Sequence, residues 1–293
     1  MNGQNTKNQM GMNIQWYPGH MTKTKRQLAP KLKLIHLVII VLDARAPKSS
    51  YNEDFDKLFE GKEKIFVLNK CDLADGNITK NWLEYFRKKG CYAIAYSAAK
   101  MSPKALLSEI GNIANRISMK YEQKGMNKII RGLVAGVPNV GKSAILNRLS
   151  GGRKVKEGNK PGVTRGLQWV RITDHLEIMD SPGLLAPKLK DEKSAANVAF
   201  IGCIKQEILD EESLCYYLLQ SLMKTAPKKL MERYQLEYLE DDVYGVMGQI
   251  SKKRGFLVKG GEFDIERCAK VVLDEFKNGK IGCISLEKPT DDR

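Results

Sequence analysis

The residues best suited to chemistry are Gly136-Val137-Pro138-Asn139-Val140-Gly141-Lys142-Ser143, which match Gly-x-x-x-x-Gly-Lys-Ser/Thr between an expected strand and an expected helix. Glycines there let backbone N–H groups wrap phosphate oxygens, and the helix N-terminus adds positive potential. Asn139, Val140, Gly141, Lys142, Ser143 and Ala144 are the expected phosphate-binding residues. Lys142 would reach the β/γ-phosphates, as a catalytic group, and the Ser143 hydroxyl would hold Mg²⁺. This loop alone does not separate ATP from GTP.

Base choice points elsewhere. Asn69-Lys70-Cys71-Asp72 ends an expected strand, and the fourth-position carboxylate can accept from both N1–H and the exocyclic amine of guanine. Adenine does not offer that pair. Ser97-Ala98 follows the next expected strand, where a backbone N–H could meet guanine O6. Asp180-Ser181-Pro182-Gly183 supplies a carboxylate for Mg²⁺ through water and a glycine N–H for the γ-phosphate, and Thr164 could complete the metal shell. Taken singly, the short motifs also read as ordinary turns and helix caps.

The elements that position these loops alternate between short β-branched runs and amphipathic segments, the pattern of a parallel sheet covered by helices. Strands are predicted at 36–42, 64–68, 92–96, 129–135, 167–172 and 176–179, and helices at 52–59, 79–89, 103–121 and 142–149. Ser102 is an expected cap ahead of Pro103. After Pro187 helical periodicity dominates, ending in a helix with Phe263, Cys268, Val271, Val272 and Phe276 on one face, Asp264 near its start and Gly279 near its end. The expected divisions are a mobile tail over 1–13, an α/β nucleotide-binding domain over 14–187 and a helical domain over 188–293.

Of 293 residues, 42% are hydrophobic and 28% charged, which excludes wholesale disorder. No apolar run approaches the roughly 20 residues of a membrane span, and the polar start is unlike a secretory signal. A cytoplasmic protein is expected. The six cysteines form no C-x-x-C pair, so neither disulfides nor a zinc site is expected, and the thiols are read mostly as small buried apolar groups. The net charge is +15. Residues 1–187 hold 31 Lys and Arg against 15 Asp and Glu, whereas residues 188–293 hold 18 against 19. That basic part attracts polyanions, nucleic acid first and an anionic membrane second.

The motifs together resemble those of a Ras-like GTPase in rotated order, with base recognition ahead of the phosphate loop. With Trp16-Tyr17-Pro18-Gly19-His20-Met21, Asp43-Ala44-Arg45, Pro47-x-Ser49-Ser50, Lys252-Lys253-Arg254-Gly255 and Gly260-Gly261, the chain resembles the RbgA (YlqF) family of circularly permuted ribosome-biogenesis GTPases from about Ile14 to Pro289. The resemblance implies a circularly permuted P-loop GTPase domain followed by a small helical domain similar to ANTAR RNA-binding domains. It further implies GTP/GDP and Mg²⁺ as ligands, and late precursors of the large (50S) ribosomal subunit with their rRNA as partners. No membrane or DNA partner is expected, and a monomer is expected off the ribosome. A GTP-dependent RNA-binding or chaperone module with incidental hydrolysis is the alternative.

Leu184 stands where Ras-type enzymes place a water-orienting glutamine, so the resemblance makes His20 the candidate for positioning water, with an rRNA contact or a helix cap as its other readings. Asn139 resembles the asparagine by which potassium-activated GTPases hold K⁺. His36 and His175 look structural, and Pro30 should kink or end the basic helix after His20.

Overall fold

The structure, a computed structural model, describes residues 28–152, 169–181, 183, 191–204 and 210–289. His20, Thr164, Leu184, Pro187 and the 1–13 tail lie outside them. Six strands form one sheet: β1 (Leu37–Asp43), β2 (Glu63–Asn69), β3 (Tyr92–Ala95), β4 (Ile130–Ala135), β5 (Trp169–Thr173) and β6 (Leu176–Asp180). Their spatial order is β3-β2-β1-β4-β6-β5. All neighbours are parallel except β5, which runs antiparallel to β6.

β1 is central and every residue in it is buried. Its side chains alternate between two cores, the period of a pleated strand covered on both faces. Leu37, Ile39 and Val41 meet α3 (Lys104–Glu122) through Leu106, Ile110 and Ile113. Val38, Ile40 and Leu42 meet Phe55 of α1 (Asp54–Leu58) and the adjacent Phe59. Each such side chain contributes about 1.5–3 kcal/mol relative to exposure, which fixes the register: a one-residue slip would swap both faces at once.

Parallel pairing puts the C-terminal ends of β1, β2, β4 and β6 on one edge, with Asp43 opposite Asn69 and Val134 opposite Asp180. α2 (Gly76–Lys88) starts earlier than the periodicity predicts, because the Asp75 carboxylate accepts from the Asn77 and Ile78 amides. α3 begins at Lys104 with Pro103 as the capping residue. Ser102 Oγ accepts only a long 3.4 Å bond from the Lys104 amide, so the expected serine cap is weak. α4 (Lys142–Leu149) falls where predicted. Residues 28–32 are helical and close in a turn in which Leu34 N–H reaches Lys31 O, so that helix ends within a turn of Pro30.

Beyond the sheet come α5 (Glu192–Phe200), α6 (Glu211–Thr225), α7 (Pro227–Tyr234), α8 (Val243–Arg254) and α9 (Ile265–Lys277). Asp264 caps α9 at Arg267 N, and Cys268, Val272 and Phe276 are buried against α6. Phe263 departs from the predicted face. It lies ahead of the helix, 44% exposed, in a short antiparallel bridge with Leu257. Of the cysteines, Cys203, Cys215 and Cys268 are buried, Cys71 and Cys91 are half-buried and Cys283 is exposed, so only half act as core groups. Among the described residues no helix is long and apolar enough to cross a membrane, and no cluster of His, Cys, Asp or Glu could hold a metal.

His36 at the start of β1 is structural. Its Nδ1 accepts from the Arg131 amide at 3.0 Å and its ring meets Tyr121 edge-on. Burial, then the charges of Lys128, Lys62 and Arg131, push its pKa down to about 4. A histidine held neutral in the fold but not in the unfolded chain contributes stability that is full above about pH 6.5 and lost as pH falls toward 4. Chemical denaturation at pH 7 and pH 4.5 should therefore show a smaller acid loss for His36→Asn than for the parent.

Candidate functional site

Five segments meet at the C-terminal edge of the sheet. The phosphate loop leaves β4 and enters α4 at Gly141, whose φ of +97° is left-handed. A Cβ there would collide with the Asn69 side chain, so only glycine lets the loop lie against the base-reading segment. Asn69 is 2% exposed and clamps two loops: Nδ2 donates to Val140 O at 2.7 Å, and Oδ1 accepts from the Ala98 N–H at 3.1 Å. Lys70, itself left-handed with φ 57°, sends Nζ to Asn139 O at 2.8 Å and to Asp43 Oδ2 at 3.0 Å. The base-reading and phosphate-binding residues are thus physically joined before any nucleotide is considered.

Lys142 is 7% exposed, and its Nζ donates to Val137 O at 2.8 Å, inside its own loop. Burial pushes its pKa down to about 8, against the opposing pull of Asp180. Ser143 Oγ donates to Asp180 Oδ2 at 2.8 Å. A hydroxyl and a buried carboxylate side by side at a helix N-terminus are the hard oxygen donors Mg²⁺ takes, so this pair fits the ion. Gly183 lies against the phosphate loop, where a Cβ would sit 2.7 Å from Pro138. Asn139, with φ 60°, donates from Nδ2 to Gly202 O at 2.6 Å, just past α5.

In the base-reading part, Cys71 N–H donates to Tyr96 O at 3.2 Å, which sets the turn carrying Asp72. The Asp72 carboxylate pairs with Lys100 at 3.2 Å. Ser97 is buried and its Oγ accepts from the Lys100 amide. The Ala98 amide, one of the expected O6 donors, is engaged by Asn69, because the side-chain oxygen of the asparagine that orders the phosphate loop is buried and needs a donor. Arg148 on α4 takes the Ala98 and Ala99 carbonyls at 2.8 and 3.1 Å. Asn69, Lys70, Cys71, Asp72, Ser97, Ala98, Asn139 to Ala144, Asp180 and Gly183 therefore share one edge, while His20 and Thr164 lie outside the described residues.

Sequence reading gave no role to Asp43 and Arg45. Asp43 has no exposed surface and Arg45 only 1%, and they form a two-pronged ion pair, Nε to Oδ1 at 2.9 Å and Nη2 to Oδ2 at 2.8 Å. Burial by itself raises the Asp43 carboxyl, but Arg45 and Lys70 outweigh it and hold it well below the usual carboxylate range. Arg45 Nη1 donates onward to Phe276 O and Lys277 O at the end of α9. Cys203, also buried, has Lys70, Asp43, Arg45 and Lys142 as its charged neighbours, and burial pushes its pKa up to about 12. Lys100, the partner of Asp72, was also given no role by sequence reading, because nothing in local spacing marks that pairing.

A family profile described as a 50S ribosome-binding GTPase matches residues 131–243. Ribosome biogenesis GTPase A of Priestia megaterium is 38% identical over 283 residues, spanning 96% of this chain and 98% of that protein. The Bacillus cereus protein of the same name is 39% identical, spanning 96% and 95%. Among solved structures, GNP-bound YlqF from Thermotoga maritima aligns with a TM-score of 0.68 at 31% identity, covering 92% of this chain and 99% of that one.

Replacing Asn69 by Ala leaves the buried Val140 carbonyl and Ala98 amide without their partner, each such loss costing about 1–3 kcal/mol. Urea unfolding of Asn69→Ala should show a loss of about 2–6 kcal/mol, and GDP titration an affinity at least about tenfold weaker.

Proposed function

The chain belongs to the ribosome biogenesis GTPase A family and is a GTP hydrolase of ribosome assembly, and on that premise we propose that it acts at a late step of large-subunit (50S) assembly, binding rRNA on the precursor and hydrolysing GTP as the particle matures. The observation that carries the site reading is the junction of Asn69 and Lys70 with the phosphate loop. It brings a carboxylate suited to guanine, Asp72, to the loop suited to phosphates.

The permuted reading is supported by the sheet. Read from its antiparallel edge the order is β5-β6-β4-β1-β2-β3, so the strand before the phosphate loop lies between the strand ending in Asp180 and the three strands that precede it in the chain. A GTPase domain over 14–187 and a helical, ANTAR-like domain over 188–293 follow from this reading. rRNA binding draws support from the basic excess of the first 187 residues and from exposed Lys252 and Lys253 in the last turn of α8. A monomer working in the cytoplasm completes the proposal.

For hydrolysis, Lys142 would exchange Val137 O for the β/γ-phosphates, and the Gly183 amide would meet the γ-phosphate from beside Pro138. Ser143 and, through water, Asp180 would hold Mg²⁺, with Thr164 as a third donor; bound there, the ion neutralises charge on the phosphate oxygens. Asn139 would offer its side-chain oxygen to K⁺, since its nitrogen faces Gly202. His20 is proposed to position the water.

Turnover by the purified protein should rise on adding large subunits and not small ones, and should be faster in K⁺ than in Na⁺ at equal ionic strength. Equal rates in both salts would remove Asn139 from cation binding. Lys142→Ala should lower turnover by about 100-fold or more, as loss of a group that stabilises transition-state charge does.

A further inference from the structure

The segment after α9 does not run out into solvent. It lies along the base-reading turn: Cys283 Sγ donates to Asp72 O at 3.3 Å, Ile284 N–H to Leu73 O at 3.0 Å, and Ser285 Oγ accepts from Asp75 N–H at 3.1 Å. Leu286 N–H then donates to Arg45 O at 2.7 Å, and Glu287 O accepts from Trp82 Nε1 at 3.2 Å. The Glu287 carboxylate ends the run in a cradle of donors. It accepts from the Lys48 amide at 2.8 Å, the Ser49 amide at 3.1 Å, the Ser49 hydroxyl, and Asn197 Nδ2 of α5 at 3.0 Å. Asn197 and Ser49 are 4% exposed. Pro47-x-Ser49-Ser50, a motif with no task in nucleotide binding, is the receptor for this carboxylate.

We infer that residues 283–287 are a strap that positions the base-reading turn, with Glu287 as its anchor and Ser285 as its grip on the turn, so that the helical part of the chain sets how well the site tells guanine from other purines. Of the three residues Cys71, Asp72 and Leu73, two give their carbonyls to this strap, and Gly279 packs on the Leu73 side chain. A carboxylate that must meet N1–H and the exocyclic amine at once loses selectivity when its turn shifts by a fraction of an ångström. The phosphate loop is held by Asn69 and Lys70, ahead of Cys71 to Leu73, so phosphate contacts depend less on the strap than base contacts do. Glu287 and Ser285 are thus positioning residues for specificity. The inference rests on Asp72 reading guanine.

The test compares affinities for GDP and for IDP, which lacks the 2-amino group, in full-length Glu287→Gln, the milder Ser285→Ala, and Asp72→Asn, with thermal melting as a folding control. The parent should prefer GDP by about tenfold or more, the worth of one charge-assisted hydrogen bond. Each strap variant should lose severalfold of that preference, because GDP has two contacts to Asp72 to lose and IDP, which keeps N1–H, only one. Equal losses for both nucleotides, or an unchanged preference in both strap variants while Asp72→Asn abolishes it, would overturn the strap. A preference that survives Asp72→Asn would instead overturn guanine reading by Asp72, and the strap's role with it.

Discussion

A carboxylate with no exposed surface, Asp43, sits where the central strand ends, and three parts of the molecule are built on it. A charge buried this deeply costs several kcal/mol in lost hydration, and only near-ideal partners offset it. Arg45 provides two parallel hydrogen bonds and Lys70 a third contact. Each cation then has donors left over. Lys70 uses its own on the phosphate loop at Asn139 O, and Arg45 on the last carbonyls of α9, where a cation also meets the negative end of the helix dipole. Removing one member would strand the others, at about 3–5 kcal/mol.

The same economy of donors runs through the nucleotide site. Backbone groups at the ends of parallel strands have no further strand to pair with, so side chains from neighbouring loops must satisfy them. Asn69 does this for Val140 and Ala98, Arg148 for Ala98 and Ala99, and Ser181 for Val134 through its hydroxyl at 2.7 Å. Ligand groups and scaffold groups are therefore the same residues. Asn69 carries a recognition motif, yet its bonds to Val140 and Ala98 hold the scaffold.

Among the described residues the helical part joins this edge at the end of α9 by Arg45, at the turn after α5 by Asn139, at Asn197 of α5 by Ser49, and through the segment after α9 at the base-reading turn. These contacts reach nucleotide-binding residues, such as Asn139 and Asp72, or the loop after β1 beside them. A change in the phosphate loop is thereby one hydrogen bond away from the helices.

Much of this was legible in the chain itself. The strand and helix positions follow from local periodicity, because burial on both faces of a sheet demands β-branched runs and helices demand a stripe; α4 and β4 fall within a residue of prediction. The phosphate loop and Asn69 to Asp72 were legible because phosphate and guanine recognition need fixed residue types at short spacing. Local spacing carries no record of partners 200 or more residues away. Arg45 with Phe276, Glu287 with Ser49 and Cys283 with Asp72 are such pairs, and Phe263 left its predicted face because the bridge to Leu257 competes with the helix stripe. Sequence alone determined which chemistry the loops can do; tertiary structure decided which distant groups hold those loops in place, because buried charges and strand-end amides take whatever donors and acceptors the fold brings to them.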